Sequence, residues 1–290
     1  MSQYQIFTVD AFANEVFKGN QAAVVPVPSD KPIDVRTMQA IGAEMNISET
    51  AFITPTEHQG SDEFLQASRF ELRWFTPTSE VKLCGHATLA ASHVLLYELG
   101  NQRDTLYFAT ASGELIVRKG PNGSLQMTFP LDVPAPVAVT DSVKTLVARV
   151  VGKYKPTVQV AVSPSLKYMV VYDPELTGDD VSRLEPDISP EFLAAGEQEQ
   201  LTAVIVTGKG TTHDFQSRVF CPWVGIPEDP VTGSAHAVLA PFWSERLNKT
   251  EFLAYQCSKR GGELEVAILS DTLVNVCGKA VTVIKGTINI

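Results

Sequence analysis

Polar and apolar residues alternate along residues 4–10, the pattern of a strand with one buried face. An apolar, β-branched run at 22–27 follows the turn signal Gly19-Asn20, so the two stretches read as a hairpin. Between 34 and 45 the apolar positions Val35, Met38, Ile41, Ala43 and Met45 predict an amphipathic helix that ends near Asn46. Strands are expected at 51–54 and 70–75. Residues 87–96, ATLAASHVLL, are apolar on nearly every face, and a helix of that kind has to be enclosed by the protein itself. Strands at 107–110, 113–118 and 125–129, with Gly120-Pro121-Asn122-Gly123 as punctuation, read as further hairpins. The first half is therefore expected to be a curled sheet wrapped round one buried helix.

After a proline-rich linker at 130–136 the order repeats. A surface helix is predicted at 142–151, strands at 158–161 and 168–171, a short acidic helix near 179–184 and a strand at 202–207. A second enclosed helix follows at 235–243, AHAVLAPFW, which Pro241 should kink or end. Strands at 263–268, 273–277 and 280–284 and a last one at 287–290 complete the chain. Residues 56–68 and 186–200 read as loops. Short motifs recur at nearly constant offset: Arg73, Phe75 and Pro77 match Arg218, Phe220 and Pro222 at an offset of 145. Gly85-His86 matches Gly233-Ser234 at 148, and GELIV at 113–117 matches GELEV at 262–266 at 149. With 290 residues in all, two homologous halves follow, 1–130 joined by a terminal strand at 281–290, and 131–280. The class is α+β, each half a curled, barrel-like sheet about a central helix. The absence of long strand–helix alternation argues against a dinucleotide-binding sheet.

Composition narrows the function more than the fold. A net charge of −10 argues against a nucleic-acid or anionic-membrane surface, and the 44% hydrophobic fraction is that of a folded soluble domain. No apolar run is long enough to span a bilayer, and residues 1–12 lack the signature of a secretory signal, so a cytoplasmic location is expected. Cys84, Cys221, Cys257 and Cys277 show no paired spacing and read as reduced thiols.

Both enclosed helices begin at a glycine, Gly85 and Gly233, and each offers bare N–H groups at the positive end of its dipole, with His86 or Ser234 as a further donor. If the halves face each other, both ends would converge on one cleft suited to a small carboxylate. The alternative is that the glycines merely turn strand into helix. Glu49, between a helix end and a strand, can project a carboxylate into that cleft, or it can close a capping box with Asn46. Asp229 precedes Pro230 and could simply open a turn. His86 could be a core histidine, and His236 either another or a residue at the cleft edge. His86 and His93 are seven apart with no third ligand at metal spacing, so no metal is expected. Cys84 stands at a helix N-terminus, where a thiol pKa falls. No dinucleotide, P-loop or nucleophile-elbow motif occurs.

The segments VDAFANEVFKGNQAAVV (9–25), NISETAFI (46–53), RWFTPTSEVKLCGHATLA (73–90) and EDPVTGSAH (228–236) resemble the PhzF-like proteins of phenazine biosynthesis, built on the diaminopimelate epimerase fold. The resemblance covers nearly the whole chain. It implies two similar halves, Glu49 as catalytic acid/base, His86 and Asp229 in the substrate site, and Gly85, Gly233 and Ser234 as donors to substrate, with Asn20 also lining it. It implies proton transfer between carbons with neither metal nor organic cofactor, and dimers occur in the family. A carboxylate shielded in a cleft would have its pKa raised toward neutrality. The chain departs from the amino-acid epimerases of this fold, which place a cysteine before each helix: here Cys84 holds one place and Thr232 the other, so two-thiol racemisation is not expected. The phenazine enzyme itself has Ala where Cys84 stands, so its substrate does not carry over. The expected activity is a cofactor-independent isomerase acting on a small carboxylic acid. The alternatives are a non-catalytic ligand-binding protein on the same fold and a dehydratase or lyase of hydroxy or amino acids.

Overall fold

The computed structural model describes residues 2–57 and 60–290. In chain order the elements are β1 (Gln3–Ala11), β2 (Asn20–Pro26), α1 (Val35–Met45), β3 (Glu49–Pro55), α2 (Glu63–Gln66), β4 (Arg69–Phe75), β5 (Glu80–Val81), α3 (Gly85–His93), β6 (Thr105–Thr110), β7 (Gly113–Lys119) and β8 (Leu125–Pro130). They continue as β9 (Ala135–Pro136), α4 (Asp141–Val151), β10 (Gln159–Val162), β11 (Tyr168–Thr177), α5 (Gly178–Ser182), α6 (Pro190–Gln198), β12 (Ala203–Lys209), β13 (Phe215–Cys221) and β14 (Ile226–Asp229). The last are α7 (Gly233–Leu247), β15 (Glu251–Gln256), β16 (Gly262–Ser270), β17 (Leu273–Gly278) and β18 (Ala280–Asn289). Two compact units result, one of Met1–Thr128 with Cys277–Ile290, the other of Phe129–Val276.

In the first unit the strands pair in the order β18–β1–β2–β3–β4–β6–β7–β8, antiparallel except for the parallel pairs β2–β3 and β4–β6. In the second the order is β9–β10–β11–β12–β13–β15–β16, with β11–β12 and β13–β15 parallel. The two sheets thus have one plan, antiparallel–parallel–antiparallel–parallel–antiparallel through their six central strands. A short extra strand, β5 or β14, folds back on β4 or β13.

Each sheet curls around its own apolar helix. Every residue of α3 from His86 to Ser92 is buried, as is α7 from Gly233 to Trp243 apart from Ser234. That agrees with sequences apolar on all sides. α7 runs through Pro241 to Leu247 rather than ending there. After His93 the first helix continues as one π-helical turn, Val94–Glu98. The outer faces are covered too: Met38 and Ile41 of α1 pack on Val25, Phe52 and Phe75 in the first unit. In the second, Val143, Leu146 and Val150 of α4 and Phe192 of α6 pack on Met169, Val204 and Phe220.

Three readings change. Residues 186–200 hold α6 rather than a loop, with Pro190 in its first turn and Trp223 stacked on Phe192 at 5.2 Å. Residues 280–289 form one continuous strand instead of two. Residues 56–68 contain α2 and are anchored by Glu63, which accepts from Ser29; His58 and Gln59 lie outside the described residues. No helix among the described residues is long and apolar enough to cross a membrane.

Candidate active site

In the first unit the site is assembled at the open end of α3. α1 ends at Asn46 in a left-handed conformation, its N–H bonded to the Gly42 carbonyl. Asn46 is therefore a C-cap, which removes the capping-box alternative for Glu49. The chain then enters β3 at Glu49, which lies level with Ala22 of β2. Glu49, Cys84 and His86 are 7%, 7% and 8% exposed, so three chemically active side chains meet almost out of water. Glu49 Oε2 lies 3.0 Å from His86 Nε2. No aligned hydrogen-bond donor reaches that oxygen from the described residues, so the contact is an ion-pair approach. Ser48 Oγ donates to the Gln21 carbonyl at 2.9 Å and lies 3.3 Å from His86 Nε2, while the other ring nitrogen, Nδ1, faces Cys84 Sγ at 3.5 Å.

An imidazolium suits these surroundings, with an acceptor for each N–H. Burial works to lower the His86 pKa, but Cys84 and the Glu49 carboxylate outweigh it and hold the ring well above the ordinary histidine value. Burial works in the opposite sense on Glu49, and the charge of His86, with the polar groups of His86, Ser48 and Cys84 close by, keeps that carboxyl below its usual range. This corrects the expectation of a raised carboxyl. The cleft argument counted burial but not the cation beside it. Cys84 is corrected as well: burial and then the neighbouring Glu49 charge push its thiol up, more than the helix N-terminus can offset.

The corresponding corner of the second unit has different chemistry on the same frame. Asp229, at the end of β14, is buried and accepts through Oδ2 from Thr232 Oγ1. Gln256 of β15 locks the turn, accepting from Thr232 N at 2.8 Å and donating to the Asp229 carbonyl at 2.7 Å. Ser234 Oγ lies 3.2 Å from Tyr168 Oη. His236 is a core residue: burial lowers its pKa to about 4, so the ring is neutral and its Nδ1–H donates to the Thr232 carbonyl at 2.9 Å. It stacks on Phe215 at 5.9 Å. In the first unit the same helical step is taken by Thr88, whose hydroxyl donates to the Cys84 carbonyl at 2.6 Å. Neither α3 nor α7 has a side-chain N-cap, so both helices keep bare N–H groups at their first turn.

The repeated R-x-F-x-P motif has a structural meaning. Arg73 pairs in bidentate fashion with Glu80 at 2.8 and 2.9 Å, and Arg218 with Glu228 at 2.7 and 2.8 Å. Each guanidinium also lies over the motif's phenylalanine, Phe75 at 5.5 Å and Phe220 at 5.2 Å. Glu80 and Glu228 each precede their helix-opening glycine by five residues, so the pairs clamp the strands that lead into the two corners.

Among the anticipated residues, Glu49, Cys84, His86 and the start of α3 come together in the first unit, with buried Asn20 opening β2 close to Ser48 in register. Asp229, Thr232 and the start of α7, with Ser234, come together in the second. Ser48, Tyr168 and Gln256 were not anticipated: Ser48 lies in the bend before β3, within the NISETAFI segment but beside the more obvious Glu49, while Tyr168 and Gln256 are strand residues outside any motif. The donor atoms of Glu49, Cys84 and His86 lie within 4.8 Å of one another. The cluster joins His86 to Glu49 and Cys84 and leaves out His93, whose Nε2 lies 3.1 Å from Thr282 Oγ1.

A profile described as phenazine biosynthesis-like protein matches residues 9–286. The chain is 42% identical over 297 residues to the mouse phenazine biosynthesis-like domain-containing protein 1, covering 98% of each. It is 41% identical over 285 residues to an uncharacterized isomerase of Pseudomonas aeruginosa, again covering 98% of each. The crystal structure of a PhzF-family phenazine biosynthesis protein from Enterococcus faecalis superposes with a TM-score of 0.85 at 36% identity, covering 100% of both chains.

Proposed function

Since the chain belongs to the phenazine biosynthesis-like family, we propose that it is an isomerase that moves a proton between carbons of a small carboxylic acid, with Glu49 taking and returning the proton and no metal or organic cofactor required. The observation that carries this reading is the Glu49–His86 pair at the uncapped start of α3: a buried carboxylate, 3.0 Å from an imidazole, with one oxygen that no aligned donor occupies. Two relatives named as isomerases, at 41% and 40% identity, support the reaction class.

The chemistry follows from the charges. A carboxylate beside a cation is a weak base in water. In a dry pocket it removes a proton from a carbon whose negative charge is delocalised into a neighbouring carboxyl group. As Glu49 becomes neutral, its charge passes to the substrate, and the His86 imidazolium and the first N–H groups of α3 are placed to stabilise it. Return of the same proton to another carbon restores the ion pair. Cys84, whose thiol is made less acidic by burial and by Glu49, faces His86 Nδ1 and is not needed as a base. Asp229, fixed by Thr232 and Gln256, is proposed as a second participant and is tested separately by Asp229→Asn.

The test is deuterium incorporation from heavy water into a panel of small carboxylic acids. Wild type should exchange at least about 100-fold faster than Glu49→Gln, the lower end for loss of a positioned acid/base. Equal rates for the two proteins across the panel would remove Glu49 from the reaction. Ligand binding that survives Glu49→Gln, with no exchange by wild type, would favour a non-catalytic binding protein.

A further inference from the structure

The three donors that meet at the start of α3 make a second kind of site. Cys84 Sγ lies 4.0 Å from His86 Nε2, which lies 3.0 Å from Glu49 Oε2, and all three atoms fall within 4.8 Å. Zinc bonds of about 2.3 Å to sulfur and about 2.0–2.1 Å to nitrogen or oxygen, set at tetrahedral angles, place S and N about 3.6 Å apart and N and O about 3.3 Å apart. Adjustments of a few tenths of an ångström bring the Sγ–Nε2 and Nε2–Oε2 distances to those values. A thiolate, an imidazole and a carboxylate with a fourth position free is a donor set that selects zinc or cobalt over magnesium or calcium.

One further observation points to a cation. Glu49 Oε2 is a buried acceptor that no aligned hydrogen bond fills among the described residues. Ser48 Oγ, 3.3 Å from His86 Nε2, would give way to the ion at that nitrogen and keep its bond to the Gln21 carbonyl, while Thr88 Oγ1 holds the backbone carbonyl of Cys84.

We propose that Glu49, Cys84 and His86 bind one thiophilic divalent ion, zinc being the physiological candidate, and that its binding shuts off proton transfer by converting the Glu49 base into a ligand. Coordination is balanced by release of two protons to solvent, the Cys84 thiol proton and the Nε2 proton of the His86 imidazolium, with no change of oxidation state. The affinity depends only on the three donors; the inhibition rests on the function proposed above.

The experiment titrates metal-free protein with Co²⁺ and reads thiolate-to-cobalt charge-transfer absorption, with X-ray absorption of the zinc form as a measurement that needs no variant. One ion per chain should bind, with one sulfur at about 2.3 Å and nitrogen or oxygen neighbours at about 2.0–2.1 Å. Cys84→Ser, checked by circular dichroism, should lose the charge-transfer band and about 100-fold in affinity. Glu49→Gln should keep the band and bind at least about tenfold more weakly, a direct ligand mattering no less than the outer contacts whose loss costs 10–100-fold. Charge transfer that persists in Cys84→Ser, or is absent from wild type, overturns the site. One equivalent of zinc should abolish deuterium exchange, and a chelator should restore it. Unchanged exchange by zinc-loaded protein overturns the inhibition. If metal-free wild type exchanges nothing, the isomerase reading fails while the spectra still decide the metal site.

Discussion

The twin arginine–glutamate clamps offer an experiment with its own control, because one chain holds the same bidentate pair at two depths. The side chains of Arg73 and Glu80 are 27% and 35% exposed, those of Arg218 and Glu228 only 11% and 24%. Arg218 also donates to the Leu184 carbonyl. Double-mutant cycles built from Arg→Met and Glu→Gln cancel that extra bond and isolate each pair's coupling. For the outer clamp, surface-pair behaviour predicts about 0.5–1 kcal/mol. The inner one is mostly desolvated, and losing a single partner strands the other, so about 2–3 kcal/mol is expected, short of the 3–5 seen on breaking fully buried pairs. At about 1.4 kcal/mol per decade, the inner coupling changes the unfolding constant by roughly 30–150-fold and the outer one by about 2–5-fold. Urea unfolding followed by fluorescence reads both units, since Trp74 lies in the first and Trp223 and Trp243 in the second. High salt should erase most of the outer coupling and spare the inner. Equal couplings, or a larger one for Arg73–Glu80, would refute the argument that depth sets the worth of the clamp.

The remaining predictions concern titration and reactivity. The raised His86 pKa contributes stability that is complete below the ordinary histidine value near 6.5 and is lost as pH rises through the folded value, while the depressed Glu49 pKa contributes stability lost only as pH falls below about 4.5. Melting temperature followed against pH should therefore show an alkaline decline in wild type that is missing in His86→Gln. His236 titrates in the opposite sense: its pKa of about 4 against about 6.5 unfolded costs the native state up to about 3 kcal/mol as pH falls from 6.5 to 4. His236→Phe should flatten that acid slope, and an unchanged slope would show that another group causes it. Native-state labelling by a thiol reagent should begin at half-buried Cys277, and Cys257, pushed up to about 12 by burial, should react only on unfolding. A mass map showing Cys257 modified first would contradict this.

Much of this architecture was written in the hydrophobic pattern. The strands around 4–10, 22–27 and 70–75 and both enclosed helices could be read because burial on one face or on all faces leaves a period in the sequence. The repeat at an offset of 145 announced two sheets of one plan, though not the reason for its arginines: Glu80 and Glu228 follow them at unequal distances, seven residues in one copy and ten in the other. The helix at Pro190–Gln198 was hidden by its polar glutamates and glutamines, although Ser189-Pro190-Glu191 is an adequate start signal. Glu49, His86 and Asp229 stood out through their motifs. What no motif could convey was the ionic state of Glu49, because a carboxyl group responds to whichever neighbour the fold brings within a few ångströms, and here that neighbour lies 37 positions along the chain.

The pairing of β1 with β18 also bears on how the protein is made. Residues 3–11 leave the ribosome long before residues 280–289, yet they share one ladder, from Gln3 opposite Asn289 to Ala11 opposite Ala280. The unit that carries Glu49 must therefore wait with an open sheet edge until residues 280–289 are made, while the inserted unit can close from a continuous stretch of chain. A premature stop near residue 279 would spare the later-made unit and cripple the earlier one.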